Sequence, residues 1–134
     1  MNLVIKALTT AAALAGLACA SSAHAETPAD MLARYGTAAK AAADPARGQQ
    51  FFTSTHGREW SCSSCHGALP VKEGKHAATG KVIQPMAPAF NGERFTDSTK
   101  TEKWFRRNCN DVVGRECTAG EKADLIAWLL TLKA

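Results

Sequence analysis

Apolar positions in the C-terminal part of the chain recur at helical spacing. Leu125, Trp128, Leu129 and Leu132 fall at i, i+3, i+4 and i+7 and draw one apolar stripe along a helix. Thr118-x-x-Glu121 ahead of it has the form of a capping box, in which hydroxyl and carboxylate satisfy each other's backbone N–H groups. Thr99-x-x-Glu102 has the same form, with Asp97 as a competing cap, and predicts a helix ending near Cys109. Towards the other end, Thr27-Pro28 with Asp30 in the first turn predicts an Ala-rich helix to about Ala43. Asp44-Pro45 restarts the pattern and predicts a second helix to about Thr53, with Gly48 and Phe52 on one face. From about Ala68 to Glu93 no period holds, and Pro70, Gly74, Gly80, Pro85, Pro88 and Gly92 break the chain into loop. No convincing strand is visible, so the expected fold class is all-α. A loop of this length in a small domain is functional or wraps around something.

The first residues belong to a different pattern. Lys6 supplies a positive start, Ala7 to Ala18 are almost all small or apolar, and Ala23-His24-Ala25 is an A-x-A cleavage site. Residues 1–25 therefore read as a cleaved signal peptide and 26–134 as one exported domain, with the periplasm as its compartment. The apolar run is too short to span a membrane. Gly16 stands where a lipoprotein signal at Cys19 needs a branched apolar residue, so no membrane anchor is expected.

Charge adds little. The chain has 16 Lys and Arg against 12 Asp and Glu, and loss of Lys6 leaves a net +3. Without a basic run, nucleic acid is excluded as a partner. Cysteine count adds more. Of five cysteines, Cys19 leaves with the signal peptide and four remain. Cys62 and Cys65 sit in Cys62-Ser63-Ser64-Cys65-His66, while Cys109 and Cys117 are left as a pair that an oxidising compartment can bridge.

C-x-x-C-H is the attachment motif of a c-type haem. The two thiols lie about one helical turn apart, within reach of two vinyl groups, and the next imidazole becomes the proximal iron ligand. A thioredoxin-like pair needs no following histidine and expects a βαβ context, and a zinc site needs two more ligands nearby. One covalent haem c on Cys62, Cys65 and His66 is thus expected. Gly48 and Phe52 before the motif and Trp128 in the last helix resemble the class I cytochrome c arrangement, in which first and last helices cross at a glycine.

The iron's other side decides the function. Met86, in Gln84-Pro85-Met86-Ala87-Pro88, looks like a methionine ligand loop, yet a complete helix separates it from the last helix. It then reads as a side chain lining the haem pocket. His56 and His76 lie among charged and glycine residues and read as surface histidines. Asn108 is four residues after Trp104, so both share one helix face that can bring an aromatic and an amide over the haem. Otherwise Asn108 simply ends its helix.

The segments Arg94-Phe95-Thr96-Asp97-Ser98, Glu102-Lys103-Trp104, Arg107-Asn108-Cys109-Asn110, Gly114-Arg115-Glu116-Cys117-Thr118 and Gly120-Glu121-Lys122-Ala123-Asp124-Leu125 resemble the sphaeroides haem protein family. These are small oxygen-binding monohaem cytochromes, and cytochrome c″ shares their layout. The resemblance covers nearly all of residues 26–134. It implies a Cys109–Cys117 disulfide and, directly before it, Asn108 as the distal ligand. It also implies a dihaem c-type cytochrome as electron donor. Lys72, Lys75 and Lys81, in the loop after the motif, read either as a surface that docks an acidic partner or as plain solvated charge, and no stable oligomer is required.

An amide oxygen is a hard, weak donor that suits ferric iron better than ferrous. Asn108 is therefore expected to bind in the ferric state and leave on reduction, opening the site to O₂, NO or CO. Two other readings compete. One is an ordinary electron carrier with Met86 as sixth ligand. The other is an enzyme, a peroxidase or a nitric-oxide-detoxifying oxidase, for which the sequence supplies no acid/base pair.

Overall fold

The computed structural model describes residues 25–134. Apart from Ala25, the expected signal peptide lies outside the described residues. Helix α1 (Pro28–Ala39) starts as expected: the Thr27 hydroxyl accepts from the Asp30 N–H, and the Asp30 carboxylate accepts from the Thr27 N–H at 2.8 Å. It ends four residues early, where Lys40 turns left-handed at φ 53°. The cause lies just downstream. Asp44 bonds Asp124 through its N–H and caps α2 (Pro45–Thr53) through its side chain, so the chain must leave α1 before reaching it.

Helix α3 (Cys62–His66) carries the attachment motif. The following loop holds one feature the sequence did not announce, an antiparallel ladder of β1 (Gly74–Lys75) and β2 (Val82–Ile83), in register Gly74↔Ile83 and Lys75↔Val82. Two-residue strands carry no readable period. They form here because the turn between them closes through His76 N–H to the Lys81 carbonyl.

Helix α4 (Ser98–Val112) is capped by Asp97, whose carboxylate accepts from the Lys100 N–H at 2.8 Å. Thr99 is not the cap, because Glu102, the partner a box would need, is bonded to Tyr35 and Lys122 instead. The helix runs past Cys109 to Val112. Val113 and Gly114, the latter at φ 80°, fold their N–H groups back onto the Cys109 carbonyl and close it. Helix α5 (Ala119–Thr131) has the predicted capping box at Thr118 and Glu121. Its burial is wider than one stripe: every residue from Ala123 to Leu129 is buried, and Leu132 is the C-cap beyond the helix. The reason is that α1 and α2 both pack against α5.

The α2–α5 crossing is a backbone contact. A Cβ on Gly48 would overlap the Asp124 carbonyl oxygen, so only glycine permits this approach. Asp124 is buried beside the crossing, and its carboxylate takes two bonds from the Arg47 guanidinium at 2.8 and 3.0 Å. The all-α expectation, and the glycine-centred crossing of an early helix with the last, are both met.

Candidate haem-attachment site

Ser61 makes the attachment helix possible. Its hydroxyl accepts from the Ser64 N–H, and the Ser64 hydroxyl accepts from the Ser61 N–H at 3.0 Å, a reciprocal box that holds a single turn closed. Cys62 and Cys65 are free thiols on that turn. Burial pushes the Cys62 thiol up to about 11, so it stays protonated at neutral pH, unlike the thiolate of a redox-active pair. Cys65 Sγ accepts from the Ala77 N–H at 3.3 Å, and a Cβ on Gly74 would overlap the Cys65 carbonyl. The β1–β2 hairpin thus lies directly on the motif.

His66 is held by packing. Phe52 stands between Trp128 and the imidazole, with ring centroids 4.9 and 6.1 Å away. Burial, with the Arg94 guanidinium nearby, pushes the imidazole down to about 4. It is neutral at physiological pH, the form that coordinates iron, and among the described residues no side chain hydrogen-bonds it.

Arg94 is a site residue that sequence reasoning passed over except as part of a resembling segment. It donates to the Pro85 carbonyl at 2.8 Å and the Gln84 carbonyl at 2.6 Å, bracing the loop that carries Met86. From the other side the Met86 and Ala87 N–H groups bond the carbonyl of the fully buried Pro70. Met86 itself is half-buried and packs against the core.

Asn108 is not a helix end. It lies in the third turn of α4, with the helix continuing to Val112. The buried face of α4 is Thr101, Phe105, Cys109 and Val112. Trp104 and Asn108 sit one residue round from that stripe, both exposed, with the Arg107 guanidinium 5.7 Å over the Trp104 ring. The next residue, Cys109, is bonded to Cys117. His56 departs from the surface reading: it is half-buried, its ring tilted against Phe51 with centroids 4.4 Å apart, and its Nε2 lies 2.7 Å from the Phe51 carbonyl. His76 accepts from the Thr79 N–H within the hairpin turn.

These residues fit a haem. Two unpaired thiols and a neutral, unclaimed imidazole are its donor set. The polypeptide also leaves Leu69, Val82, Phe90 and Trp104 exposed, at 37 to 60% of their surface, on the segments that follow the motif. Large apolar groups on so small a domain are the surface an apolar plate covers. Among the described residues no three His, Cys, Asp or Glu side chains converge on a metal-ion site, so the thiols lack the further ligands zinc requires.

The family profile described as "Domain of unknown function (DUF1924)" matches residues 38–129. The chain is 49% identical over 126 residues to the cytochrome c-type protein SHP of Cereibacter sphaeroides, covering 91% of this chain and 95% of that protein. It is 48% identical over 80 residues to cytochrome c″ of Methylophilus methylotrophus, covering 60% of this chain and 56% of that one. Among solved structures, oxidised SHP, described as an oxygen-binding cytochrome c, superposes with a TM-score of 0.76 at 49% identity, over 81% of this chain and all of that one. Oxidised cytochrome c″ superposes with a TM-score of 0.71 at 37% identity, over 80% and 95%. A solution structure of cytochrome c″ concerned with haem-ligand detachment superposes at 0.68 and 37%, over 80% and 94%.

Proposed function

The chain belongs to the DUF1924 family with SHP and cytochrome c″ as relatives, a monohaem cytochrome with covalently bound haem c, and from that premise we propose a redox-gated ligand site built around Asn108. Cys62 and Cys65 would hold the haem and His66 would ligate its iron. When bound, the haem supplies one-electron transfer and, at an open ferrous iron, affinity for O₂, NO and CO. The Asn108 amide oxygen would ligate in the ferric state and leave on reduction, because a hard neutral donor loses most of its attraction to the softer ferrous ion.

One observation carries this reading. Asn108 stands free on the solvent face of α4 beside Trp104, one residue before the disulfide, whereas Met86 is packed against the core with its backbone pinned to Pro70. A freed Asn108 amide would be available to donate a hydrogen bond to a gas at the iron. The description of cytochrome c″ as a protein of haem-ligand detachment supports the same mobility. Residues 1–25 would direct export to the periplasm. Lys72, Lys75 and Lys81 are exposed on and beside the hairpin that covers the motif, and would steer an acidic electron donor, of the dihaem c-type class, to that edge.

The test is the visible spectrum of the holoprotein, ferric, reduced, and reduced under CO, for the parent and for Asn108→Ala. The reading expects a high-spin ferrous spectrum that shifts with CO, and a ferric spectrum that becomes high-spin or aquo-ligated in the variant. A low-spin ferrous spectrum unmoved by CO would overturn it. Met86 would then be the sixth ligand, and the protein an ordinary electron carrier.

A further inference from the structure

The attachment segment and the end of α4 face each other across a cleft of about 340 Å³ lined by Gly57, Arg58, Glu59, Trp60 and Asp111. One side chain crosses it. Arg58 Nε donates to the Asp111 carbonyl at 3.2 Å. Among the described residues this is the only hydrogen bond between residues 54–67 and α4. Asp111 contributes one of the last carbonyls of the helix, which has no partner within the helix and sits at the negative end of its dipole. A guanidinium is suited to that place.

Both ends of the link are shaped for it. Arg58 projects from a tight turn closed by its own N–H to the Thr55 carbonyl, with His56 and Gly57 at φ 51° and 75°. The His56 ring ties that turn to Phe51 of α2. On the far side the guanidinium lies against Gly114, where a Cβ would stand 3.0 Å from Arg58 Nη1. Arg58 therefore connects a turn anchored on α2, four residues before Cys62, to the last turn of α4, three residues after Asn108.

We propose that Arg58 is a positioning residue: it latches the end of α4 to the haem-attachment segment and so sets how firmly Asn108 is presented to the iron. The inference rests on Asn108 being the ferric ligand. On that reading an electron from the donor would break the bond from the Asn108 oxygen to iron, and the amide would leave neutral with no proton transferred. With the latch made, the return of Asn108 on reoxidation needs only a side-chain movement. With the latch broken, the disulfide and the buried Val112 still hold the helix end, but less rigidly towards the cleft, and the return would compete with water.

The experiment uses holoprotein carrying Arg58→Met, Arg58→Lys, Asn108→Ala and the Arg58→Met/Asn108→Ala pair. It reads the ferric spin state and the rate at which the ferric low-spin spectrum returns after flash oxidation. Arg58→Met should raise the ferric high-spin to low-spin ratio and slow the return, each two- to tenfold, while Arg58→Lys, which still reaches the carbonyl, stays within twofold of the parent. In the Asn108→Ala background Arg58→Met should change neither readout. Arg58→Met matching the parent, while Asn108→Ala alters the spectrum, would overturn the latch and leave the ligand intact. An effect of Arg58→Met that persists without Asn108 would equally overturn it, as a general loosening of the fold. A ferric spectrum unchanged by Asn108→Ala would remove the ligand assignment and the latch with it.

Discussion

The two sides of the haem site are built by different means. On the His66 side backbone touches backbone: Gly48 lies against the Asp124 carbonyl and Gly74 against the Cys65 carbonyl, with Phe52 wedged between Trp128 and His66. On the Asn108 side α4 is held by side chains. Tyr35 donates to Glu102 at 2.7 Å, Lys122 donates to Glu102 at 2.9 Å, Phe105 meets Tyr35 edge to face, and a disulfide pins Cys109. Backbone contacts through glycine leave no atom that can give way. Side-chain contacts can lengthen, rotate or exchange with water. One side of the proposed site is thus fixed and the other adjustable, the asymmetry that a detachable Asn108 ligand would need.

The comparison breaks most easily at its stiff end. Gly48→Val forces two β-carbon branches into the Asp124 carbonyl and should cost about 3 kcal/mol or more. The expected result is loss of holoprotein yield or a large fall in thermal midpoint. Gly74→Ala meets the Cys65 carbonyl and should cost about 2–3 kcal/mol, together with slower haem attachment. A variant at either position with parent stability would show that the backbone contact is not tight.

On the other side the largest single support is the disulfide. The pair spans a sequence separation of 8, and its removal by Cys109→Ser with Cys117→Ser should cost about 2–3 kcal/mol in the chain-entropy account. The loss should be local. Hydrogen exchange should quicken across α4 while α2 and α5 keep their protection. Uniform loss of protection would mean that the two sides are one cooperative unit and the asymmetry is not functional.

The same division explains what the sequence disclosed. Signals confined to a few adjacent residues were legible: the caps at Thr27, Asp44 and Thr118, the C-x-x-C-H motif, and the left-over cysteine pair. Gly48 with Phe52 was legible as a face, because their spacing is that of one helical turn. The end of α4 was missed because Asn108-Cys109-Asn110-Asp111 are poor helix formers, and the closing signal, Gly114, lies beyond them. What had no signature was the long-range polar network. Arg47 to Asp124, Tyr35 to Glu102, and Arg58 to Asp111 are 77, 67 and 53 residues apart, and nothing local in either partner announces the other. Two of these three pairs hold α4, so the adjustable side was the less readable one.

The Tyr35–Glu102–Lys122 group sharpens the comparison with the smallest effect, through pH. Burial raises the Glu102 carboxyl, but bonds from Tyr35 and Lys122 outweigh it and hold the group below the usual carboxylate range. A depressed carboxyl contributes stability above its unfolded value of about 4.3, and that stability disappears as pH falls through the lower folded value. Burial and the Glu102 contact raise the Tyr35 phenol well above its ordinary value. A raised phenol contributes stability below about 10, lost as pH climbs towards the folded value. The α4 attachment should therefore loosen at both ends of the pH range and hold steady between about 5 and 9. Glu102 is partly solvated, so screening keeps its acid-side share to about 0.5 kcal/mol. The measurement is hydrogen exchange in α4 against α5, extrapolated across pH, in the parent and in Glu102→Gln. The parent should show α4 protection falling relative to α5 below about pH 4, and Glu102→Gln should flatten that fall while leaving α5 alone. If α4 and α5 lose protection in parallel in both proteins, the carboxylate does not tether α4, and its hold rests on its other contacts, the disulfide, Phe105 and the Arg58 bond among them.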